Sequence, residues 1–230
     1  MNKLLFIAAL FLCFTADAQK KKTTTKKKTS KTKTTKAPAK LNIAALDSKT
    51  LPRDIHYEGR IKNAARWTDK QGDNIVITTE TGEYDSKKSM TGEGQSADLF
   101  AYHYVVKAGK CVPDWKIADH IRDCPLDVQV HFIKNTFHIT DLDKDGIAEI
   151  WTMYKTACHG DVSPCDMKIV MYEGRQKYAV RGTNKVQVSE HEIFGGEYKP
   201  DDAFTKGPKP FRDHARELWL KNELEVWNNE

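Results

Sequence analysis

Asp141-Leu142-Asp143-Lys144-Asp145-Gly146-Ile147-Ala148-Glu149, here called the acidic loop, is the stretch that decides how the rest of the chain can fold. Carboxylates stand at its first, third, fifth and ninth positions, and a glycine that can adopt a positive φ stands at the sixth. This spacing is typical of a loop that binds a hard cation, and Ca²⁺ takes about 6–8 oxygen ligands. We predict a Ca²⁺ site whose ligands are the side chains of Asp141, Asp143, Asp145 and Glu149 and the carbonyl oxygen of Ile147.

Strand-like sequence flanks the acidic loop on both sides. Before it, Val128, Val130 and Phe132 alternate with polar residues, and after it residues 150–154 are mostly aromatic, β-branched or long and apolar. An EF-hand would need flanking helices and a glutamate at the twelfth position, where this chain has Thr152. The pattern therefore predicts a calcium loop within a β-hairpin. The alternative is a solvated Asp-Gly turn, although three alternating aspartates would repel one another without a counter-ion.

The acidic loop resembles the calcium loops of FG-GAP and VCBS-type repeats. In those repeats, aspartates at positions one, three, five and nine bind the ion at a tight turn. This chain has Glu149, which is one methylene longer, at the ninth position. The loop occurs once and no period of about 20–50 residues repeats along the chain, so a propeller or solenoid is not predicted.

The pattern of the remaining chain predicts an α+β fold, with one domain from about residue 41 built on a mostly antiparallel sheet. A short helix is predicted at 42–50 and a C-terminal helix at 210–228, whose broad apolar surface would pack against the sheet. Residues 115–123 are ambiguous between helix and strand. Strands are predicted at 57–67, 73–79, 97–106, 127–134, 135–140, 150–155, 167–172 and 177–182.

The first eighteen residues have the pattern of a secretory signal peptide. Lys3 is followed by an apolar run from Leu4 to Phe14 and by a small-x-small close at 16–18. The apolar run is shorter than the roughly 20 residues that a membrane span needs, so no transmembrane span is expected in the mature chain. A retained anchor, or a lipoprotein acylated at Cys13, is the less favoured alternative. We expect export to the periplasm, the medium or the outer surface.

Residues 19–40 form a Lys/Thr-rich linker that is predicted to be disordered, because its lysines repel one another and almost nothing in it can be buried. The first forty residues hold eleven lysines and one aspartate of the chain's 37 basic and 32 acidic residues, which leaves residues 41–230 with a net charge of −5. An acidic, exported body argues against nucleic-acid binding. The linker is predicted either to contact an anionic envelope surface or to act as a spacer.

Four cysteines remain after removal of the signal peptide, and an even number in an exported protein predicts two disulfides. Three pairings are possible. We favour Cys111 with Cys124 and Cys158 with Cys165, because both pairs would close short local loops. A zinc site is the alternative, but the Cys-x₂-Cys spacing typical of such sites is absent.

Catalytic templates are absent from the sequence, which favours a non-enzymatic role and leaves catalysis open. There is no Gly-x-Ser-x-Gly, no His-Glu-x-x-His and no phosphate-binding glycine loop. His131 and His138 could form a cross-strand pair with a catalytic or metal-binding role. Asp127 or Asp161 could complete the calcium shell. Other acids that could belong to a carboxylate pair are Asp114, Asp119 and Asp123.

An ordered set of motifs resembles a family of small exported bacterial proteins named for surface polysaccharide biosynthesis. The likeness covers most of residues 55–185 and transfers no catalytic residue. The motifs are Leu99-Phe100-Ala101-Tyr102-His103-Tyr104, Asp123-Cys124-Pro125 with Asp127, Thr140 to Gly146, Cys158 with Asp161-Val162-Ser163-Pro164, and Tyr178-Ala179-Val180-Arg181-Gly182.

The family resemblance implies a role in the assembly or maintenance of lipopolysaccharide or a related envelope glycan. We therefore expect a protein with a structural Ca²⁺ loop that binds a surface polysaccharide or an envelope protein. One alternative is a Ca²⁺-assisted enzyme that acts on surface polysaccharide, which requires two facing carboxylates in a groove. Another is a periplasmic inhibitor or adaptor, which predicts an exposed apolar patch on the C-terminal helix.

Overall fold

Fourteen strands and two helices make up the described part of the chain in the computed structural model, which describes residues 41–86 and 94–227. The predicted signal peptide and linker lie outside the described residues. In chain order the elements are β1 (Ala44–Ala45), β2 (Arg60–Asp69), β3 (Gly72–Asp85), β4 (Gln95–Lys107), β5 (Lys110–Cys124), β6 (Val128–Phe132), β7 (His138–Thr140), β8 (Glu149–Cys158), β9 (Asp166–Glu173), β10 (Gln176–Thr183), β11 (Lys185–Gln187), β12 (Ile193–Gly195), β13 (Tyr198–Pro200), α1 (Asp202–Lys206), α2 (Lys209–Asn222) and β14 (Leu224–Val226).

The first large sheet is an antiparallel meander in the order β1-β2-β3-β4-β5. Its central strands are apolar on both faces, because each face is covered by another layer. In β4, Leu99 and Ala101 face the second sheet, whereas Tyr102 and Tyr104 face a cluster that includes Ile55. Burial on both sides explains the unbroken apolar run that predicts this strand.

The second large sheet has the order β13-β10-β9-β8-β6, and β7 also pairs with β8. Strand β8 is long enough to pair with β6 along its C-terminal half and with β7 along its N-terminal end. The acidic loop joins β7 to β8, with Thr140 opposite Glu149. The predicted hairpin around the loop is therefore present.

Two faces of the second sheet are buried by different partners. One packs on the first sheet through residues such as Leu99, Ile117 and Tyr154. The other is covered by α2, whose buried side chains follow the i, i+4, i+7, i+8 pattern of a helix that packs on one side. These side chains are Phe211, Ala215, Leu218 and Trp219. The mostly antiparallel α+β fold is thus confirmed, with the helix against the sheet.

The structure corrects two predicted elements, the helix at 42–50 and the end of the C-terminal helix, and it decides the segment that the sequence left ambiguous. Residues 42–50 form β1 and a turn, in which Asp47 accepts backbone hydrogen bonds from Lys49 and Thr50. The ambiguous segment 115–123 is extended, because β5 pairs with β4 along almost its whole length. The C-terminal helix ends at Asn222, after which β14 pairs in parallel with β11.

The predicted disulfide pairing is wrong: Cys124 is bonded to Cys158, and Cys111 and Cys165 are free thiols. Cys111 and Cys124 lie near the two ends of the same strand, which holds them roughly 40 Å apart at about 3.3 Å per residue. The bridge that forms instead links the C-terminal ends of β5 and β8. A disulfide is compatible with an oxidising compartment.

No helix in the described part of the chain is long and apolar enough to cross a membrane.

Candidate metal centre

Backbone geometry at the tip of the acidic loop depends on its glycine. Lys144 and Gly146 have φ values of 63° and 85°. A Cβ on Gly146 would meet only the flexible end of the Lys70 side chain, which can move, so the positive φ is what restricts the position. The predicted role of this glycine in a tight turn is therefore confirmed.

The carboxylates of the acidic loop converge in two overlapping groups. Asp141, Asp143 and Glu149 form one group, and Asp143, Asp145 and Glu173 form the other. Within each group, one ligand atom from each residue lies within 4.8 Å of the others. Two oxygens that each lie about 2.3–2.6 Å from a Ca²⁺ ion are at most roughly 5 Å apart, so either group fits around one ion.

All four predicted carboxylate ligands belong to these groups, and Asp143 belongs to both. The predicted fifth ligand, the carbonyl oxygen of Ile147, stays a prediction. Asp127 and Asp161, which were candidates to complete the shell, belong to neither group among the described residues.

Hydrogen bonds within the loop turn the aspartate side chains inward. Asp143 Oδ1 accepts from the Asp145 backbone N–H at 3.1 Å, and Asp145 Oδ1 accepts from the Ile147 N–H at 2.7 Å. Asp141 Oδ1 accepts from the Gly146 N–H at 3.3 Å. Each carboxylate keeps further lone pairs, so these bonds orient oxygens that can still bind a cation.

Glu149 is the innermost acid of the centre and is fully buried. Its Oε2 accepts a hydrogen bond from Thr140 Oγ1 at 2.6 Å, and both its oxygens lie near the Leu142 N–H, at 2.9 and 3.0 Å. Burial raises the pKa of this carboxyl, and the charge of Asp143 raises it further. A divalent ion would offset both effects, because it supplies positive charge where water is excluded.

Glu173, at the end of β9, is a member of the site that the sequence pattern does not identify. It lies directly opposite Glu149 in the β8–β9 register. Its pKa is raised to about 7, mainly by burial and then by repulsion from Asp143, Asp145 and Glu149. Its Oε2 accepts a hydrogen bond from Tyr178 at 3.3 Å, and its buried Oε1 has no partner. Like charges opposite each other destabilise a sheet, so this pairing also favours a cation.

The β2–β3 hairpin of the first sheet contacts the acidic loop through two hydrogen bonds. The Lys70 N–H donates to the Gly146 carbonyl at 2.9 Å, and the Ala148 N–H donates to Asp69 Oδ2 at 3.1 Å. The loop is therefore fixed by protein contacts on its outer side. A fixed loop loses less conformational entropy when an ion binds.

The predicted histidine pair does not form, because β6 and β7 each pair with β8 and not with each other. His138 Nδ1 lies 3.1 Å from His214 Nε2 on α2, and His131 lies opposite Lys155. Among the other candidate acids, Asp114 contacts His103 and Arg175, and Asp119 contacts Lys168. None of these acids belongs to the metal groups found in the described ranges.

Protein-family models, curated proteins and solved structures were each compared with this chain, and none of the three comparisons gives a match.

Proposed function

We propose that the acidic loop and Glu173 bind one Ca²⁺ ion that stabilises the second sheet. The observation that carries the proposal is that five carboxylates, one of them fully buried, form two overlapping groups that share Asp143, between the end of β7, the start of β8 and the end of β9. Carboxylate oxygens are the ligands that Ca²⁺ prefers. The ion would join the β7–β8 hairpin to the end of β9, which explains why the fold places so much negative charge there.

The wider role that we propose is that of an exported envelope protein. The disulfide, the signal-peptide pattern and the resemblance to proteins of surface polysaccharide biosynthesis support it. Extracellular calcium sites have Kd values of about 10⁻⁴–10⁻³ M, at which the ion is structural. In this role the stabilised sheet would bind a glycan or a protein partner during the assembly or maintenance of lipopolysaccharide.

A periplasmic inhibitor or adaptor is the second candidate, favoured by exposed apolar side chains on the small third sheet and near the end of α2. The small third sheet has the order β12-β11-β14. Its strands and the adjoining helix expose about half of several large side chains, as expected for an interaction surface. They are Ile193, Phe194, Leu220, Leu224, Val226 and Trp227.

Calcium at about 10 mM is expected to raise the free energy of unfolding at pH 7 by about 1.4–2.7 kcal/mol, given the Kd range of extracellular sites. Asp143→Asn should lose most of this gain, because Asp143 belongs to both carboxylate groups. Thermal or urea unfolding with calcium and with chelator measures the effect. Asp213→Asn, which removes an exposed acid of α2, should keep the full gain.

The calcium effect should also depend on pH. The pKa of Glu173 is raised to about 7, so the metal-free protein binds more protons than the unfolded chain and loses stability as pH rises from about 4.5 to 7. Calcium should offset this loss, so its stabilising effect should be larger at pH 7 than at pH 5. Equal calcium effects in the wild type and in Asp143→Asn would contradict the site.

Binding and turnover of purified lipopolysaccharide distinguish the proposed binder from the alternative enzyme. The proposal predicts saturable binding in the presence of calcium, with no change in the size or composition of the glycan after incubation. Release of sugars by the wild type that is lost in Asp143→Asn would instead support the enzyme. If the protein neither binds nor cleaves lipopolysaccharide, a direct role on this glycan is contradicted.

A further inference from the structure

A cleft of about 380 Å³ opens between β5 of the first sheet and strands β8 to β10 of the second. Three of the side chains that face it, those of Lys168, Lys177 and Arg181, are basic, in a folded part whose net charge is −5. Its volume falls in the range of about 300–1,000 Å³ that is typical of small-molecule sites. The polar side chains that face the cleft are Asp119, Tyr154, Lys168, Lys177 and Arg181.

Strand register builds the row of basic side chains. Tyr154 lies opposite Lys168, and Lys168 lies opposite Arg181, so three neighbouring strands place these side chains side by side. Tyr178 and Val180 of β10 face the core beneath the helices. Lys177 and Arg181 therefore face the other side of the sheet, toward the cleft. Like charges directly opposite each other, as in Lys168 and Arg181, destabilise a sheet unless an anion lies between them.

The charges of the cleft are only partly balanced by the protein. Asp119 pairs with Lys168 at 2.6 Å, whereas the ammonium group of Lys116 lies over the Phe100 and Tyr102 rings on the other face of the first sheet. Lys177 and Arg181 form no ion pair and donate no side-chain hydrogen bond to any described residue. Two cationic groups in the cleft thus remain available to a ligand.

The cleft also contains a protonated phenol, and its floor is apolar. Burial raises the pKa of Tyr154, and the charge of the Asp119 carboxylate and a hydrogen bond to it raise the pKa further, so the phenol stays protonated at neutral pH. Ile117 and Val170 in the lining are both at least 95% buried. A few charged groups around a buried apolar floor are typical of sites that bind small polar ligands.

We propose that this cleft binds the phosphate or carboxylate group of a small anionic ligand, with Arg181 and Lys177 as the principal contacts. Arginine binds both anions in a bidentate way, which a lysine cannot do. The volume suits one sugar unit or a group of similar size. No residue of the acidic loop lines the cleft, so the proposal does not require the calcium site.

Calorimetric titration with glucose 1-phosphate, glucuronate, inorganic phosphate and glucose tests this site. We expect the anions to bind at millimolar or lower concentration, with weaker binding at higher salt, and glucose not to bind. Arg181→Gln should weaken binding by about tenfold or more, as expected for loss of a charged hydrogen bond. Arg181→Lys should have a smaller effect, and Lys206→Gln on α1, far along the chain from the cleft strands, should have none.

The outcomes separate this proposal from its rivals. Failure of all three anions to bind, or equal losses in Arg181→Gln and Lys206→Gln, would overturn it. Vesicles of phosphatidylcholine with phosphatidylglycerol test a lipid headgroup as the source of the anion, and Arg181-dependent vesicle binding would support the cleft. Asp143→Asn should still bind the anions, so a failure of the calcium proposal is distinguishable from a failure of the cleft.

Discussion

Replacing both Cys124 and Cys158 with serine is expected to lower the free energy of unfolding by about 4 kcal/mol. The two residues are 34 positions apart, and a cross-link over a loop of that length restricts the unfolded chain by roughly this amount. In the folded state the bridge links the C-terminal ends of two strands in different sheets. Urea unfolding of the wild type and the double variant measures the difference.

Cys111→Ser is the matched control for the disulfide, because Cys111 is a free and partly exposed thiol. Its effect should stay below about 1 kcal/mol, as for most surface substitutions. A peptide map should recover the 124–158 bridge and two free thiols. A map showing 111–124 and 158–165 bridges would contradict the structure, as would a double variant as stable as the wild type.

Trp151→Ala is expected to lower the free energy of unfolding by about 3–5 kcal/mol, the usual cost of removing a large buried aromatic side chain. Trp151 is fully buried and contacts Phe204, Phe211 and His214 beneath the helices. Its Nε1–H also donates at 2.8 Å to Thr140 Oγ1, and this hydroxyl donates to Glu149. The residue therefore connects the core to the metal centre.

Two further variants separate these contributions of Trp151. Trp151→Phe keeps much of the packing but removes the donor to Thr140, so it should cost about 1–3 kcal/mol and weaken calcium binding. Trp227→Ala removes a tryptophan that is 47% exposed and should cost less than about 1 kcal/mol. Similar losses in Trp151→Ala and Trp227→Ala, measured by urea unfolding, would contradict the assigned core.

Local sequence pattern predicts much of this fold, because the strands and the helix have distinct periods. One example is the apolar run of β4, which is buried on both faces. Another is the buried face of α2, formed by Phe211, Ala215, Leu218 and Trp219. The acidic loop is equally local: the spacing of its acids and Gly146 determines where its side chains can go. The structure confirms that these carboxylates converge.

Features that depend on how distant strands pair are not visible in a local pattern. Glu173 joins the metal centre because the β8–β9 register places it opposite Glu149. The disulfide forms between Cys124 and Cys158 because the extended β5 separates Cys124 from Cys111. The row formed by Tyr154, Lys168 and Arg181 likewise requires three strands in register. Each of these needs a map of strand pairing, which one sequence does not supply.

Isothermal titration of the metal-free protein with CaCl₂ at pH 7 tests the central claim most directly. The wild type and Asp213→Asn should each bind one ion per chain with a Kd of about 1 mM or lower. Glu173→Gln should weaken binding, and Asp143→Asn should weaken it most, because Asp143 belongs to both carboxylate groups. Absence of calcium binding in the wild type, or undiminished binding in Asp143→Asn, would contradict the assignment of the acidic loop as a calcium site.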